Sequence, residues 1–398
     1  MAWKNESPMD QKQQFVHLAN SGKFHISELC HDFGISRKTG HKYLNRYAEH
    51  GTAGLQDRSR RPHSSPGETA AAVEKLALKL RREHATWGPK KIRQLLITKH
   101  AVEFPPSQST IGEILKRNGL VKARRRKAPG VYRGEGEELT VPEQPNEVWT
   151  VDYKGWFLLG NGERCDPLTV CDRYSHYIIE CKARSNQQHV GTLRDFKALM
   201  KRYEIPRIIR VDNGSPFASC GIGGLSRLSV WWIKQGIAVE FTRPGCPQDN
   251  GSHERMHKDL KAEPIKPASV NMAAQQRRLQ RWKKEYNELR PHESLSMGVP
   301  ADYYRRSSRR LGEDDRIRYP KSYLKRRINE NGYLLHEGLK YFVGEALKRC
   351  EVGLHAASDG VIELHFANLH LGNLAFGQGQ GHFRDTPYIS RPDDRSYS

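Results

Sequence analysis

Three acidic residues stand where phosphodiester chemistry would want them. Asp152 sits in a strand-like stretch, WTVDYKG, and Asp212 ends another, RVDNGSPF. Carboxylates at strand ends converge if the two strands are neighbours. Glu254 lies in PQDNGSHERMHKDLK, one turn into a helix whose start is marked by Asn250 and Gly251. Hard oxygen ligands with open positions are what two Mg²⁺ ions, roughly 3.5 to 4 Å apart, need in order to activate an attacking oxygen and stabilise a leaving one at a phosphodiester. Lys258 and Lys261 share a helix face with Glu254, and cations there would hold phosphates beside the acids. His253 and His257 flank the Glu, but with no Cys or further His at ligand spacing no zinc site is expected from them. Taken singly, each acid is more often a solvated or capping residue than a ligand.

Two other acids compete for the third position. Glu240 lies in AVEFTR, where period-two alternation puts it on the opposite sheet face from Val239 and Phe241. Glu263 falls at the far end of the helix from the strand termini. Only Glu254 follows an Asn-Gly helix start.

The elements that must position these residues are legible from Glu147 onward. EVWTVDYKGWFLL, PLTVCDRYS and HYIIECKARS are rich in β-branched and aromatic residues and divided by turn residues, which predicts three antiparallel strands. A helix over HVGTLRDFKALMKRY, a strand RIIRVD, a helix around LSRLSVWWIKQG, the strand AVEFTR and the Glu254 helix complete the order βββαβαβα. That is a mixed five-stranded sheet flanked by helices.

Before this core, Ser7-Pro8 with Asp10 opens a capped helix that stops at Gly22. A second helix is expected from Ser27 to Gly34. Ser36 then opens a third, with Tyr43, Leu44 and Tyr47 inward, and the set reads as a helix-turn-helix. Arg37, Lys38, Thr39, His41 and Lys42 face outward and are the candidate readers of base edges and phosphates. An ordinary solvated face on a small bundle is the competing reading. The pattern repeats after 66, with Ser107, Gln108, Ser109 and Thr110 opening a second candidate reading helix, for which a purely structural role is nearly as good an account. The expected boundaries are 1–60 and 67–121 for the two helix-turn-helix units, 122–143 for a basic linker and 144–300 for the core. Short alternating strands GYLLHE, LKYFVGE, CEVGLHA and GVIELHF predict a small β-barrel over 315–376, and the polar remainder, 377–398, is expected to be disordered.

Charge agrees with this layout. Across 398 residues, 66 Lys and Arg against 45 Asp and Glu leave a formal +21, spread over five basic clusters in several predicted domains. That favours a polyanionic partner along a long track. No apolar run is long enough for a bilayer span, so a soluble protein of the cytoplasm or nucleoid of a bacterial-type cell is expected, with no membrane partner. Seven scattered cysteines without a Cys-x-x-Cys pair predict reduced thiols.

The words WTVD, RVDNGSPF and RPGCPQDNGSHERMHKDLK resemble the catalytic core of insertion-sequence transposases related to retroviral integrases, the DDE recombinases, over about residues 141–300. The resemblance implies a ribonuclease-H-like core with Asp152, Asp212 and Glu254 as its acidic triad, and Mg²⁺ dependence, with Mn²⁺ as substitute. It also implies nicking of double-stranded DNA at transposon ends, joining to target DNA, and self-association into a multimer. The interval from Asp212 to Glu254 is longer than the family's usual one, with the surplus expected between Ala218 and Trp232. A catalytically silent, transposase-derived DNA-binding regulator is the alternative, although such a descendant would normally have lost one of the acids. A structure-selective nuclease, which would need no paired DNA-reading modules, ranks last.

Overall fold

Ser7 starts the first helix by a reciprocal cap, its hydroxyl accepting from Asp10 N at 3.2 Å while the Asp10 carboxylate accepts from Ser7 N at 3.0 Å. Helix α1 (Pro8–Asn20) therefore begins where the sequence places it. Helix α2 (Ile26–Asp32) starts ahead of Ser27, from an uncapped His25. Helix α3 (Arg37–His50) is capped by Ser36, which accepts from Thr39 N at 3.2 Å. These helices close over Phe15, Val16, Leu29, Cys30 and Leu55. Gly40 is where α3 presses closest, since a Cβ there would lie 2.5 Å from Cys30 Sγ. Tyr43 and Leu44 join this cluster as predicted, but Tyr47 is exposed because the small core ends before it.

The computed structural model describes residues 7–58, 68–121, 139–219, 221–243, 246–312, 316–357, 360–377 and 380–384. It divides into two units, Met1–Thr69 and Ala70–Ser398. Most of the expected 122–143 linker lies outside the described residues.

The second unit opens with α4 (Ala71–Glu83), α5 (Pro89–Thr98) and α6 (Gln108–Arg117). They pack around Trp87, Ile92, Leu96 and Ile111. Ser107 caps α6 as Ser36 caps α3, accepting from Thr110 N at 3.1 Å.

The core strands are β1 (Val148–Tyr153), a short hairpin β2 (Phe157–Leu158) and β3 (Arg164–Cys165), β4 (Leu168–Asp172) and β5 (Ile178–Lys182). Then come α7 (His189–Tyr203), β6 (Ile208–Val211), α8 (Arg227–Lys234), β7 (Ala238–Phe241), α9 (Gly251–Ala262), α10 (Met272–Glu288) and the short α11 (Pro300–Tyr303). The five-stranded sheet has the order β5-β4-β1-β6-β7. Its first three strands pair antiparallel and β1-β6-β7 pair parallel, the mixed sheet expected. Helices α7 and α8 bury one face around Phe196, Met200 and Trp232, while α9 and α10 bury Met256, Leu260, Leu279 and Trp282 with Ile178.

Beyond the core run β8 (Leu324–Arg327), β9 (Tyr333–His336), β10 (Leu339–Phe342), β11 (Glu351–Ala356), β12 (Ile362–Phe366), β13 (Leu369–Gly377) and β14 (Gln380–Arg384). They form one nearly closed sheet, β8-β11-β12-β13-β14-β10-β9, with more strands than the four anticipated. Strands β13 and β14 carry it past 376, into the segment expected to be disordered, because Leu374 and Phe383 cross-pair and pack on its core. Residues 385–398 lie outside the described set.

The surplus between Asp212 and Glu254 has a use. Leu225 and Val230 from that segment sit in the same apolar cluster as Leu334, Val352, Leu364 and Leu371 of the terminal sheet. Gly223, at φ 65°, allows the close approach, since a Cβ there would stand 3.0 Å from Leu371 Cδ2. The lengthened interval thus carries the seam between core and terminal sheet.

Candidate metal and nucleic-acid site

Strands β1 and β6 run parallel in a constant register of Val148 with Ile208, Trp149 with Ile209 and Thr150 with Arg210. The same offset sets Asp152 beside Asp212, at the carboxyl ends of adjacent strands. The Asp152 side chain is 27% exposed. Its carboxyl is pushed up to about 7, first by burial, then by the charge of Asp212, with a smaller contribution from Glu254. Burial also raises the Asp212 carboxyl, against a hydrogen bond from Gly214 N at 3.2 Å. All three acids are thus electrostatic neighbours, and Glu254 is exposed on the first turn of α9.

Helix α9 is held on the sheet by its two histidines. His253 Nδ1 and Nε2 lie 2.7 Å from the hydroxyls of Thr150 and Thr169 respectively. His257 Nε2 also lies 2.7 Å from the Thr169 hydroxyl, which donates to the Asp152 carbonyl at 2.9 Å. His257 Nδ1 faces Asp152 Oδ2 at 3.5 Å. Burial keeps both imidazoles neutral, driving His253 down to about 3 and His257 far below its ordinary value. At ligand spacing in the chain these histidines have no third companion; the fold supplies Asp152, with one ligand atom from each residue within 4.8 Å of the others. Only the pairing of β1 with β4, which sets Thr169 opposite Asp152, could have announced it.

The rival acids are used elsewhere. Glu240 accepts from buried Arg210, at 3.0 Å from Nε and 2.8 Å from an Nη, and from Thr140 N at 3.2 Å. Glu263 accepts from Arg290 at 2.8 Å and from Trp282 Nε1 at 2.5 Å. Asp259 Oδ2 sits 2.7 Å from the same guanidinium, which also lies 5.6 Å from the Trp87 ring centroid. Arg290 therefore ties the end of α9 to the second helical unit.

Lys258 and Lys261 are exposed on α9. Lys154, just past the end of β1 and two residues from Asp152, adds positive charge felt by Asp152 and both histidines, and it is not among the residues the sequence singles out. Among the outward residues of α3, Arg37, Lys38, His41 and Lys42 are exposed, while Thr39 is half-buried with its hydroxyl 2.9 Å from that of Ser36. Ser107, Gln108, Ser109 and Thr110 are all exposed, and the Ser107 and Thr110 hydroxyls are likewise 2.9 Å apart. The six described cysteines are buried and unbridged; Cys220 lies outside the described residues. No described helix is long and apolar enough to cross a membrane.

The chain matches the integrase core domain over 142–247 and a second integrase core domain family over 235–300. A helix-turn-helix domain matches 11–63 and a homeodomain-like domain 39–115. An uncharacterized 39.2 kDa protein of insertion element IS476 from Xanthomonas euvesicatoria is 26% identical over 273 residues, covering 68% of this chain and 75% of the relative. An uncharacterized 31.7 kDa protein of insertion element IS407 from Burkholderia multivorans is 27% identical over 194 residues, covering 48% and 67%. Among solved structures, the HTLV-2 integrase catalytic core domain in complex with magnesium is 14% identical, covers 41% of this chain and 99% of its own, and has a TM-score of 0.33. The simian T-cell lymphotropic virus intasome in complex with a PP2A regulatory subunit is 15% identical, covers 74% and 97%, and has a TM-score of 0.36. The chain thus carries helix-turn-helix domains ahead of an integrase core domain and is similar to proteins of bacterial insertion elements.

Proposed function

We propose that this chain is an insertion-sequence DDE transposase of the retroviral-integrase-like superfamily, which binds the terminal inverted repeats of a mobile element through residues 1–121 and, with its core, nicks double-stranded DNA and transfers the freed 3′ end to target DNA. The observation that carries the reading is the shared level of Asp152 and Asp212 on adjacent parallel strands, with Glu254 brought to them by α9. The donor set fits a hard divalent cation: three carboxylates, one of them held up to about 7 by the other two and by burial, repel each other until a cation arrives. Mg²⁺, or Mn²⁺ in its place, as two ions held by Asp152, Asp212 and Glu254, would activate the attacking oxygen and stabilise the leaving one.

The chain's own residues do the rest. Lys258 and Lys261 hold the phosphates flanking the scissile bond. Arg37, Lys38, Thr39, His41 and Lys42 on α3, and Ser107 to Thr110 at the start of α6, supply polar and basic groups for adjacent stretches of groove. Joining needs two ends held together, so the working form is a multimer of this chain.

Glu254→Gln tests the assignment. Size and hydrogen bonding are kept and the charge is lost, so footprinting on an end fragment should be unchanged while Mg²⁺-dependent nicking and strand transfer fall at least about a thousandfold, the scale of losing a principal electrostatic group. Nicking retained within a few-fold of the wild type would remove Glu254 from the site. A wild type that protects its ends but never cuts them, with Mg²⁺ or Mn²⁺, would leave only a DNA-binding regulator.

A further inference from the structure

The hydrogen bonds around α9 leave one nitrogen without a role. The Thr169 hydroxyl has a single proton, and it goes to the Asp152 carbonyl at 2.9 Å. Both imidazole Nε2 atoms at 2.7 Å from that oxygen must therefore carry protons and donate to it. His253 is then complete, because its bare Nδ1 lies 2.7 Å from the Thr150 hydroxyl and takes that proton in preference to the Cys171 carbonyl at 3.4 Å. His257 is not. Its Nδ1 bears a lone pair and faces Asp152 Oδ2, another acceptor, at 3.5 Å. Either a shared proton or a cation could join this pair; 3.5 Å is too long for a good proton-shared contact, whereas an ion about 2.1 Å from each atom spans it.

We propose that His257 Nδ1 is a ligand of the divalent ion held by Asp152, so that the site carries one imidazole nitrogen beside its carboxylates. This rests on the reading of Asp152 as a metal ligand. Thr169 acts as a positioning residue, fixing the tautomer and ring plane of His257 as an outer-shell partner does in other metal centres. His253, with both nitrogens engaged, is scaffold. A nitrogen ligand also shifts preference, since imidazole favours transition-metal ions over Mg²⁺. Nothing in the spacing of His253 and His257 distinguishes their roles; the threonine hydroxyls do.

The test uses the full-length protein and Mn²⁺ alone. Pulsed electron paramagnetic resonance of the wild-type Mn²⁺ complex should show hyperfine coupling to a directly bonded ¹⁴N. In His257→Gln, whose amide can still donate to Thr169, that coupling should vanish, and Mn²⁺ affinity should fall about tenfold while Mg²⁺ affinity falls less. A wild-type complex with bound Mn²⁺ and no ¹⁴N coupling would overturn the proposal without needing any variant. Asp152→Asn separates the two readings: loss of Mn²⁺ binding upholds Asp152 as a ligand whatever His257 does. Wild-type Mn²⁺ affinity in Asp152→Asn would overturn the acidic site and this inference together.

Discussion

Replacing Arg290 by Met should cost the second unit about 3–5 kcal/mol at neutral pH. The Arg290 side chain is 4% exposed and its carboxylate partners, Asp259 and Glu263, are 22% and 19% exposed. Its guanidinium lies 2.7 Å from the first and 2.8 Å from the second, and 5.6 Å from the ring centroids of Trp87 and Tyr286. Removing one partner of a buried ion pair leaves uncompensated charge, which costs about 3–5 kcal/mol, and the lost ring contacts add about 0.5–2 kcal/mol that the methionine chain partly restores. For a domain of a few hundred residues this is on the order of 10 °C in melting temperature. The pH dependence identifies the cause. Burial already raises the Asp259 carboxyl with Arg290 beside it, and without Arg290 it rises further. A folded-state pKa raised above the unfolded value favours the protonated folded form, so the deficit should narrow as pH falls from 7 toward 5. Adding Glu263→Gln should likewise recover part of the loss. Calorimetry of the wild type and both variants at pH 7 and pH 5 measures this; a deficit below about 1 kcal/mol, or one unchanged with pH, refutes a charge-based seam and leaves only packing.

Glu240→Gln should destabilise the core by about 2–4 kcal/mol, because it leaves the Arg210 guanidinium, 4% exposed, without its carboxylate; denaturant melts would show this, alongside nicking that persists in whatever fraction stays folded. Half-buried His176 and His292, whose rings stack 5.9 Å apart, are pushed down to about 4 and about 3, by desolvation first and then by Arg173 and Lys91 respectively. Folded-state pKa values below the unfolded one mean stability present above pH 6.5 and lost as pH falls toward 4, so melting temperature should drop across that window and drop less in His176→Asn/His292→Asn. Gly40→Val should destabilise the first helix-turn-helix unit by roughly 1–3 kcal/mol, since its Cβ alone would sit 2.5 Å from Cys30 Sγ and 3.0 Å from Phe15 Cζ; unchanged amide exchange in α3 would refute that account.

What the sequence yields here follows the range of the physics involved. Caps are local, so Ser7, Ser36 and Ser107 announce their helices within a residue, and His25, which caps nothing with its side chain, hides the start of α2. Alternation is local too, and it found the core strands and β9 to β12 of the terminal sheet. It missed β8, whose residues are all exposed, and the β13–β14 pair, which glycines and histidines interrupt and which is held by Leu374 and Phe383 rather than by its own pattern. Glu240 and Glu263 are engaged by long-range partners, Arg210 for the first and Arg290 for the second, and no spacing rule contains those. The same holds for the histidines. His253 and His257 read as two polar residues without a companion, because Asp152, Thr150 and Thr169 reach them only after β4 pairs with β1 and α9 packs over both. The acids proposed for the site can thus be singled out from their surrounding words, whereas the groups that pack and hydrogen-bond around them, and the order in which protons are shared among those groups, exist only in the folded sheet. For this chain that places the most informative substitutions at Thr169 and His257 rather than at the acids: removing an acid tests whether a metal is held, and changing what faces the acid tests which metal.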